Sequence, residues 1–266
     1  MRLIILAALA FGVAKTGIAQ ASNIKVWALD QKNSYPVVLG TNEWVLIGTA
    51  FGENFERDYV GKKSLEQLLL QSILRLSSYP ARRVAVFSGG DSSDIIGMKK
   101  VMKSFVASKY ITSFDQTAVS PYVPLDVSLY DLVQYDVIIL DPSICKGQDW
   151  QFIITEDSKR ALARYLENGG KIVASAYLFV YWNEYLKWER MLYNEDLSDL
   201  LFHGVKPDID AYSPRAITKS PFFEDETILT LNAVIGGDEQ KNPSFHFFWK
   251  LGVPGTHRLI PFDTLK

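Results

Sequence analysis

The 266-residue chain holds a single cysteine, Cys145, so no intrachain disulfide can form and stability must come from ordinary core burial. It also lacks a basic excess. Its 28 Lys and Arg face 30 Asp and Glu, with an isoelectric point near 6.0, which argues against binding to a nucleic-acid backbone. The three histidines, His203, His246 and His257, have no metal-ligand spacing. A Walker-type phosphate loop is absent too, because Gly61-Lys62-Lys63-Ser64 has no glycine at the required upstream spacing. We therefore expect neither a metal nor a cofactor. Internal repeats and low-complexity stretches are missing as well. What is present, 48% hydrophobic residues with 13% aromatic, excludes disorder and implies a large core.

No apolar run reaches the roughly 20 residues of a membrane-spanning helix. The N-terminal run Leu3–Ala14 follows Arg2, and the polar Lys15-Thr16-Gly17 leads to Ala19-Gln20-Ala21, an A-x-A site. This is the pattern of a signal peptide over residues 1–21, cleaved after Ala21. Residues 1–21 contain Arg2 and Lys15 and no acid, so the mature chain would carry 26 basic against 30 acidic residues. We expect an exported protein, periplasmic or secreted, without a stable membrane anchor.

From Asn23 to Ala50, apolar runs separated by turn residues predict two or three strands. Ser64 opens an expected helix whose Leu65, Leu68, Leu69, Ile73 and Leu76 share one face. From Arg83 onward strands alternate with helices. Val84–Phe87 is a strand, Ser88-Gly89-Gly90-Asp91 a turn and Ile95–Ala107 a helix. A second strand is expected at Tyr110–Thr112, a short helix at Ser128–Val133 and a buried strand at Val137–Leu140. Thr155 caps a helix closed by Gly169-Gly170, and Lys171–Ser175 returns as a strand. Beyond Asn183 we expect a helix bearing Tyr185, Leu186 and Leu192, then a strand at Ile228–Leu231 and an aromatic tail, Phe245–Trp249. The order implies a mainly parallel α/β sheet, doubly wound with helices on both faces. An N-terminal extension of strands and one helix over residues 22–80 would precede the α/β domain of residues 81–266.

Val84–Asp94 (VAVFSGGDSSD), Tyr135–Asp141 (YDVIILD) with the helix Thr155–Gly170, and Lys171–Trp182 (KIVASAYLFVYW) together resemble the class I glutamine amidotransferase-like superfamily. The likeness is closest to its trehalose-utilisation, ThuA-like branch, which Ala216–Pro221 with Asp225-Glu226 also fits. The resemblance implies a flavodoxin-like sheet with its pocket at the carboxyl ends of the strands. It also implies a cysteine nucleophile on a G-x-C-x-G elbow. Here that elbow reads Ala174-Ser175-Ala176-Tyr177-Leu178, with alanine in place of the nucleophile and neither glycine present. Glutamine hydrolysis by this route is excluded.

Ser175, Asp141 and Asp91 are the remaining weak catalytic candidates. Ser175 has no histidine at a recognisable triad spacing, and Cys145 has none near it in sequence. The Ser88–Asp94 turn sits where a helix N-terminus can receive an anion, but Asp91 and Asp94 would repel a phosphate. Tyr177, Phe179, Tyr181, Trp182, Tyr185 and Trp188 crowd a short window, and such rings stack on sugars, anchor partners or fill a core. The expected ligand-binding set is Gly89, Gly90, Asp91, Asp141, Tyr177, Tyr181 and Trp182.

Three functions stay open at this point. The first is a non-catalytic exported domain that binds a small ligand such as a carbohydrate. The second is a carboxylate-dependent sugar hydrolase or isomerase, and the third a structural or assembly component of the cell envelope with a protein partner. All three share the export expectation. Mass spectrometry of the exported protein should find Ser22 at its N-terminus, and residues 1–21 retained in a membrane fraction would show an anchor instead.

Overall fold

A computed structural model describes residues 24–30, 36–48, 51–52, 55, 62–77, 81–89, 92–119, 124–142, 154–182, 190–192, 195–208, 217–218, 248–252 and 259–260. The N-terminal strands are β1 (Lys25–Asp30), β2 (Pro36–Gly40) and β3 (Trp44–Ile47). Then come helix α1 (Lys62–Leu76), β4 (Ala81–Gly89), α2 (Ser92–Ala107) and β5 (Ile111–Val119). Two 3-10 turns, Val127–Leu129 and Leu132–Gln134, lead to β6 (Val137–Asp141), α3 (Glu156–Glu167) and β7 (Lys171–Ser175). The later elements are β8 (Val180–Trp182), β9 (Arg190–Leu192), α4 (Glu195–Leu201), β10 (Val205–Asp208), β11 (Ile217–Thr218), β12 (Phe248–Gly252) and β13 (Leu259–Ile260).

Eight strands form one mixed sheet in the order β11-β1-β2-β3-β7-β6-β4-β5. Pairing is antiparallel from β11 to β3 and parallel from β3 to β5. The fold is therefore α/β on a mainly parallel mixed sheet. β7, β6 and β4 are neighbouring central strands, as their short apolar runs predict. The boundary expected after residue 80 divides no sheet, because β3 lies in parallel register against β7 with Trp44 opposite Ile172 and Ile47 opposite Ser175. Two small antiparallel sheets, β10-β12-β13 and β8-β9, are not hydrogen-bonded to the main one.

Alternation along each central strand sorts the core into two clusters. Val45, Ile47, Val84, Val86, Val137, Ile139 and Val173 pack with α1 and α2 through Leu65, Leu69, Met98 and Met102. Leu46, Ala85, Phe87, Ile138, Leu140, Ile172 and Ala174 pack on the other face with Leu162 and Tyr165 of α3 and Leu197 and Leu201 of α4. A strand with both faces covered reads as an unbroken apolar run, which is the pattern of VIIL in β6.

Local signals explain the element ends. Thr155 caps α3 by accepting the Ser158 N–H at 3.1 Å, and Glu156 and Asp157 meet the positive end of the helix dipole. The helix closes at Gly169, whose φ of +86° favours glycine. Lys159, nearly buried, pairs with Asp196 and ties α3 to α4. Gly40 has a packing reason, since a Cβ there would come within 2.6 Å of the buried Trp27 indole.

Several expectations are corrected. β5 runs to Val119 rather than stopping near Thr112, since Ser113, Asp115 and Gln116, on both of its faces, interrupt the apolar pattern. The helix expected at Ser128–Val133 is instead a pair of 3-10 turns, the first capped by the Asp126 side chain. Leu192, expected on a helix, lies in β9, opposite Val180 of β8. The expected strand at Ile228–Leu231 and part of the aromatic tail lie outside the described residues.

His203 follows α4 in the left-handed region, φ 55°, with its ring centroid 5.9 Å from that of Trp44. Partial burial pushes its pKa below the ordinary histidine value, while Glu43 opposes that shift. The unfolded chain therefore binds a proton more readily than the folded one. Stability should fall as pH drops below about 6.5, the unperturbed histidine value. His203→Asn, which tolerates the left-handed backbone, should flatten that part of a urea-denaturation pH series; an unchanged slope would show that His203 does not set it.

Candidate functional site

β4 and β6 are adjacent, but their chains leave in opposite directions, β4 toward the β5 edge and β6 toward β7. In open α/β sheets, ligands commonly bind outside the carboxyl ends of the strands at such a switch point. Gly89 ends β4, Asp141 ends β6 and Ser175 ends β7, so three residues expected near the site lie on neighbouring strand ends. Tyr177 lies in the 3-10 turn Ala176–Leu178 that follows β7 directly. Tyr181 and Trp182 belong to β8, in the separate two-stranded sheet. Gly90, Asp91 and Cys145 lie outside the described residues, as do His246 and His257.

Register adds a feature that no motif revealed. Ser88 stands opposite Asp141, and Ser175 stands one residue on from the Leu140–Ala174 pair. By alternation all three share the face of Val86, Ile139 and Val173, the α1/α2 side. All three are buried, Asp141 and Ser175 completely. A polar row thus crosses three parallel strands where the core would otherwise be apolar.

Burying an ionised carboxylate is costly unless donors replace its water. Asp141 finds them in the backbone: the Phe51 N–H donates to Oδ1 and the Gly52 N–H to Oδ2, both at 2.8 Å. This fastens the segment after β3 across the end of β6. Phe51 and Phe55, both buried, stack with centroids 5.8 Å apart over the same side of the sheet. The Asp141 side chain is therefore a tie between elements rather than a group facing open solvent.

The row extends to β5. Gln116 donates through Nε2 to Ser88 Oγ at 2.8 Å and to the Ile95 carbonyl of α2 at 3.0 Å. Because a carbonyl only accepts, the amide nitrogen must face Ile95, and Oε1 is left over. Gln116 Oε1 and Ser175 Oγ are both buried with no hydrogen-bond partner among the described residues. The sequence signal for Gln116 was slight: it shares strand parity with Phe114, which packs against the α1/α2-side cluster.

The turn after β7 is relaxed. Ser175 has φ −89° and ψ 157°, Phe179 has φ −112°, and the non-glycine residues with positive φ among those described are Lys109 and His203. Ala176 is completely buried. The arrangement differs from a strained nucleophile elbow, and the Ala176 methyl offers no nucleophilic group. Among the described residues no cluster of His, Cys, Asp and Glu could hold a metal ion.

A half-open cavity of about 320 Å³ lies at the opposite edge of the sheet, by Ser77, Tyr135, Asp136, Tyr165 and Lys171. Two of its polar groups are engaged: Tyr165 donates its hydroxyl to the Tyr135 carbonyl, and the Arg83 N–H donates to Asp136. Burial pushes the Tyr165 phenol well above its ordinary range, so it stays protonated. None of the residues expected from sequence to form the site lines it.

Compared with protein-family models, curated proteins and solved structures, the chain matches none. Among the described residues no helix is long and apolar enough to cross a membrane.

Replacing Asp141 tests the tie. Asp141→Ala strands two buried backbone N–H groups and should lower unfolding free energy by about 3–5 kcal/mol in urea denaturation. Asp141→Asn, which keeps one acceptor, should lose about half as much. A change below about 0.5 kcal/mol in both would show that the carboxylate holds nothing.

Proposed function

We propose that this chain is an exported ligand-binding domain of the amidotransferase-like type, nearest the ThuA-like branch, which holds a small carbohydrate at the carboxyl edge of its sheet without covalent catalysis. The observation that carries this reading is the combination at the end of β7. Alanine occupies the nucleophile position in an unstrained turn, beside a buried polar row at a switch point. The first feature argues against acyl transfer and the second for recognition. Counted from β4, the order β5-β4-β6-β7 follows the 2-1-3-4 order of a flavodoxin-like, doubly wound sheet, with β3 in the fifth place. That agreement supports the resemblance. Export rests on the features of residues 1–21 alone.

A hydrolase or isomerase working through Asp141 is the weaker reading, since both carboxylate oxygens already accept backbone hydrogen bonds. A role in envelope assembly draws on a different observation. Leu129 and Val133 are 81% and 80% exposed on either side of Tyr130, a small apolar patch suited to a protein partner.

The purified protein should not hydrolyse glutamine, and sugars that bind the folded state should raise its melting temperature by mass action. Tyr177→Ala or Trp182→Ala should weaken that response. Release of ammonia from glutamine contradicts the non-catalytic half, and an undiminished sugar response in both variants contradicts the placement of the site.

A further inference from the structure

The half-open cavity lies at the amino edge of the sheet, far from the proposed carbohydrate site, and two helices and two strands build it. α1 ends there at Leu76 and Ser77, α3 ends at Asn168, and β6 and β7 begin there beside Asp136 and Lys171. We propose that this cavity binds a small zwitterion of the α-amino-acid type. Lys171 and the Asn168 amide take its carboxylate, and Asp136 with the carbonyl ends of the two helices takes its ammonium group.

Strand parity keeps the two charges apart. Val137 stands opposite Lys171, so Asp136 and Lys171 sit at neighbouring strand starts. By alternation Lys171 shares the side of Val173, where α1 packs, and Asp136 the side of Ile138, where α3 packs. They reach the cavity from opposite faces and form no ion pair with each other. The Lys171 ammonium has no hydrogen bond or ion pair among the described residues. Asp136 accepts the Arg83 N–H at 3.0 Å, and a carboxylate has room for further donors. Two opposite charges that line one cavity without touching suit a ligand that carries both.

The backbone reinforces this choice. Helix C-termini carry partial negative charge, and two of them meet here from opposite faces, which favours an ammonium group and opposes a lone anion. Arg75 and Arg164, in the last turns of α1 and α3, do not line the cavity. A lone cation would in turn face Lys171. The rest of the wall comes from Leu76, Val133 and the rings of Tyr135 and Tyr165, and it suits an apolar side chain. Gly170 leaves the Tyr165 ring room against the backbone, since a Cβ there would stand 2.4 Å from it. At about 320 Å³ the cavity is at the small end of ligand pockets, the size of a single amino acid rather than a long chain.

Isothermal titration calorimetry of the full chain at pH 7 tests this with L-leucine and two analogues, 4-methylpentanoate, which lacks the ammonium group, and 3-methylbutylamine, which lacks the carboxylate. L-Leucine should bind, and each analogue should bind about tenfold or more weakly, the weight of one charge-assisted hydrogen bond. Lys171→Met should weaken L-leucine by a similar factor and leave 3-methylbutylamine unchanged. Asp136→Asn, which keeps an acceptor for the Arg83 N–H, should weaken L-leucine and leave 4-methylpentanoate unchanged. The analogue series on the wild type needs neither variant to fold. An analogue that binds as tightly as L-leucine overturns the zwitterion, and an unchanged L-leucine affinity in both variants overturns the assignment to this cavity. No binding of L-leucine overturns the proposal and leaves the carbohydrate reading, at the other edge, untouched.

Discussion

A carboxylate with no exposed surface must find its donors inside the fold, and Asp141 takes two from the backbone of Phe51 and Gly52. The other features of this edge follow from that bond pair. It fixes the course of the chain after β3, seats Phe51 and Phe55 against the α1/α2 side, and links the N-terminal strands to the centre of the sheet. Without it the parallel pairing of β3 with β7 would still supply ladder bonds, but the segment leaving β3 would have no polar anchor at the edge. The same carboxylate puts a negative charge in the middle of the row formed by Ser88, Asp141 and Ser175.

The division of labour between the two sheet faces at this edge follows from strand parity. On the α3/α4 side the last turns are apolar, with Phe87, Leu140, Ala174 and Ala176 in one cluster. On the α1/α2 side the corresponding positions are Ser88, Asp141 and Ser175. A single-residue slip of a central strand would exchange the two sets, and for β6 it would bury the Asp141 charge in the apolar cluster, so the row also fixes register.

Much of the α/β pattern was legible because it is local. β7 coincides with the run Lys171–Ser175, since a Gly-Gly helix end precedes it and a fully apolar interior follows. β6 and α3 were marked by the same kind of signal, a continuous apolar run and a Thr cap followed by two acids. β5 was cut short because its polar residues, among them Ser113, Asp115 and Gln116, interrupt the apolar pattern on an edge strand. The site was legible only in part. Gly89, Asp141 and Ser175 could be placed at strand ends from sequence, whereas the partnership of Asp141 with Phe51 and Gly52 spans about 90 residues and depends on strand order. The insertion of β3 beside β7 has no local sign either. Gln116 was missed for the same reason: its role comes from reaching Ser88 and Ile95 across two other elements.

Amide hydrogen exchange at Phe51 and Gly52 in the wild-type protein tests the central claim most directly, since it reads the two donors themselves. If Asp141 holds them as described, both amides exchange only through large-scale opening, at rates comparable with Ile138 and Ile139 in β6. Exchange at the rate of a solvated surface loop, with β6 still protected, would contradict the account.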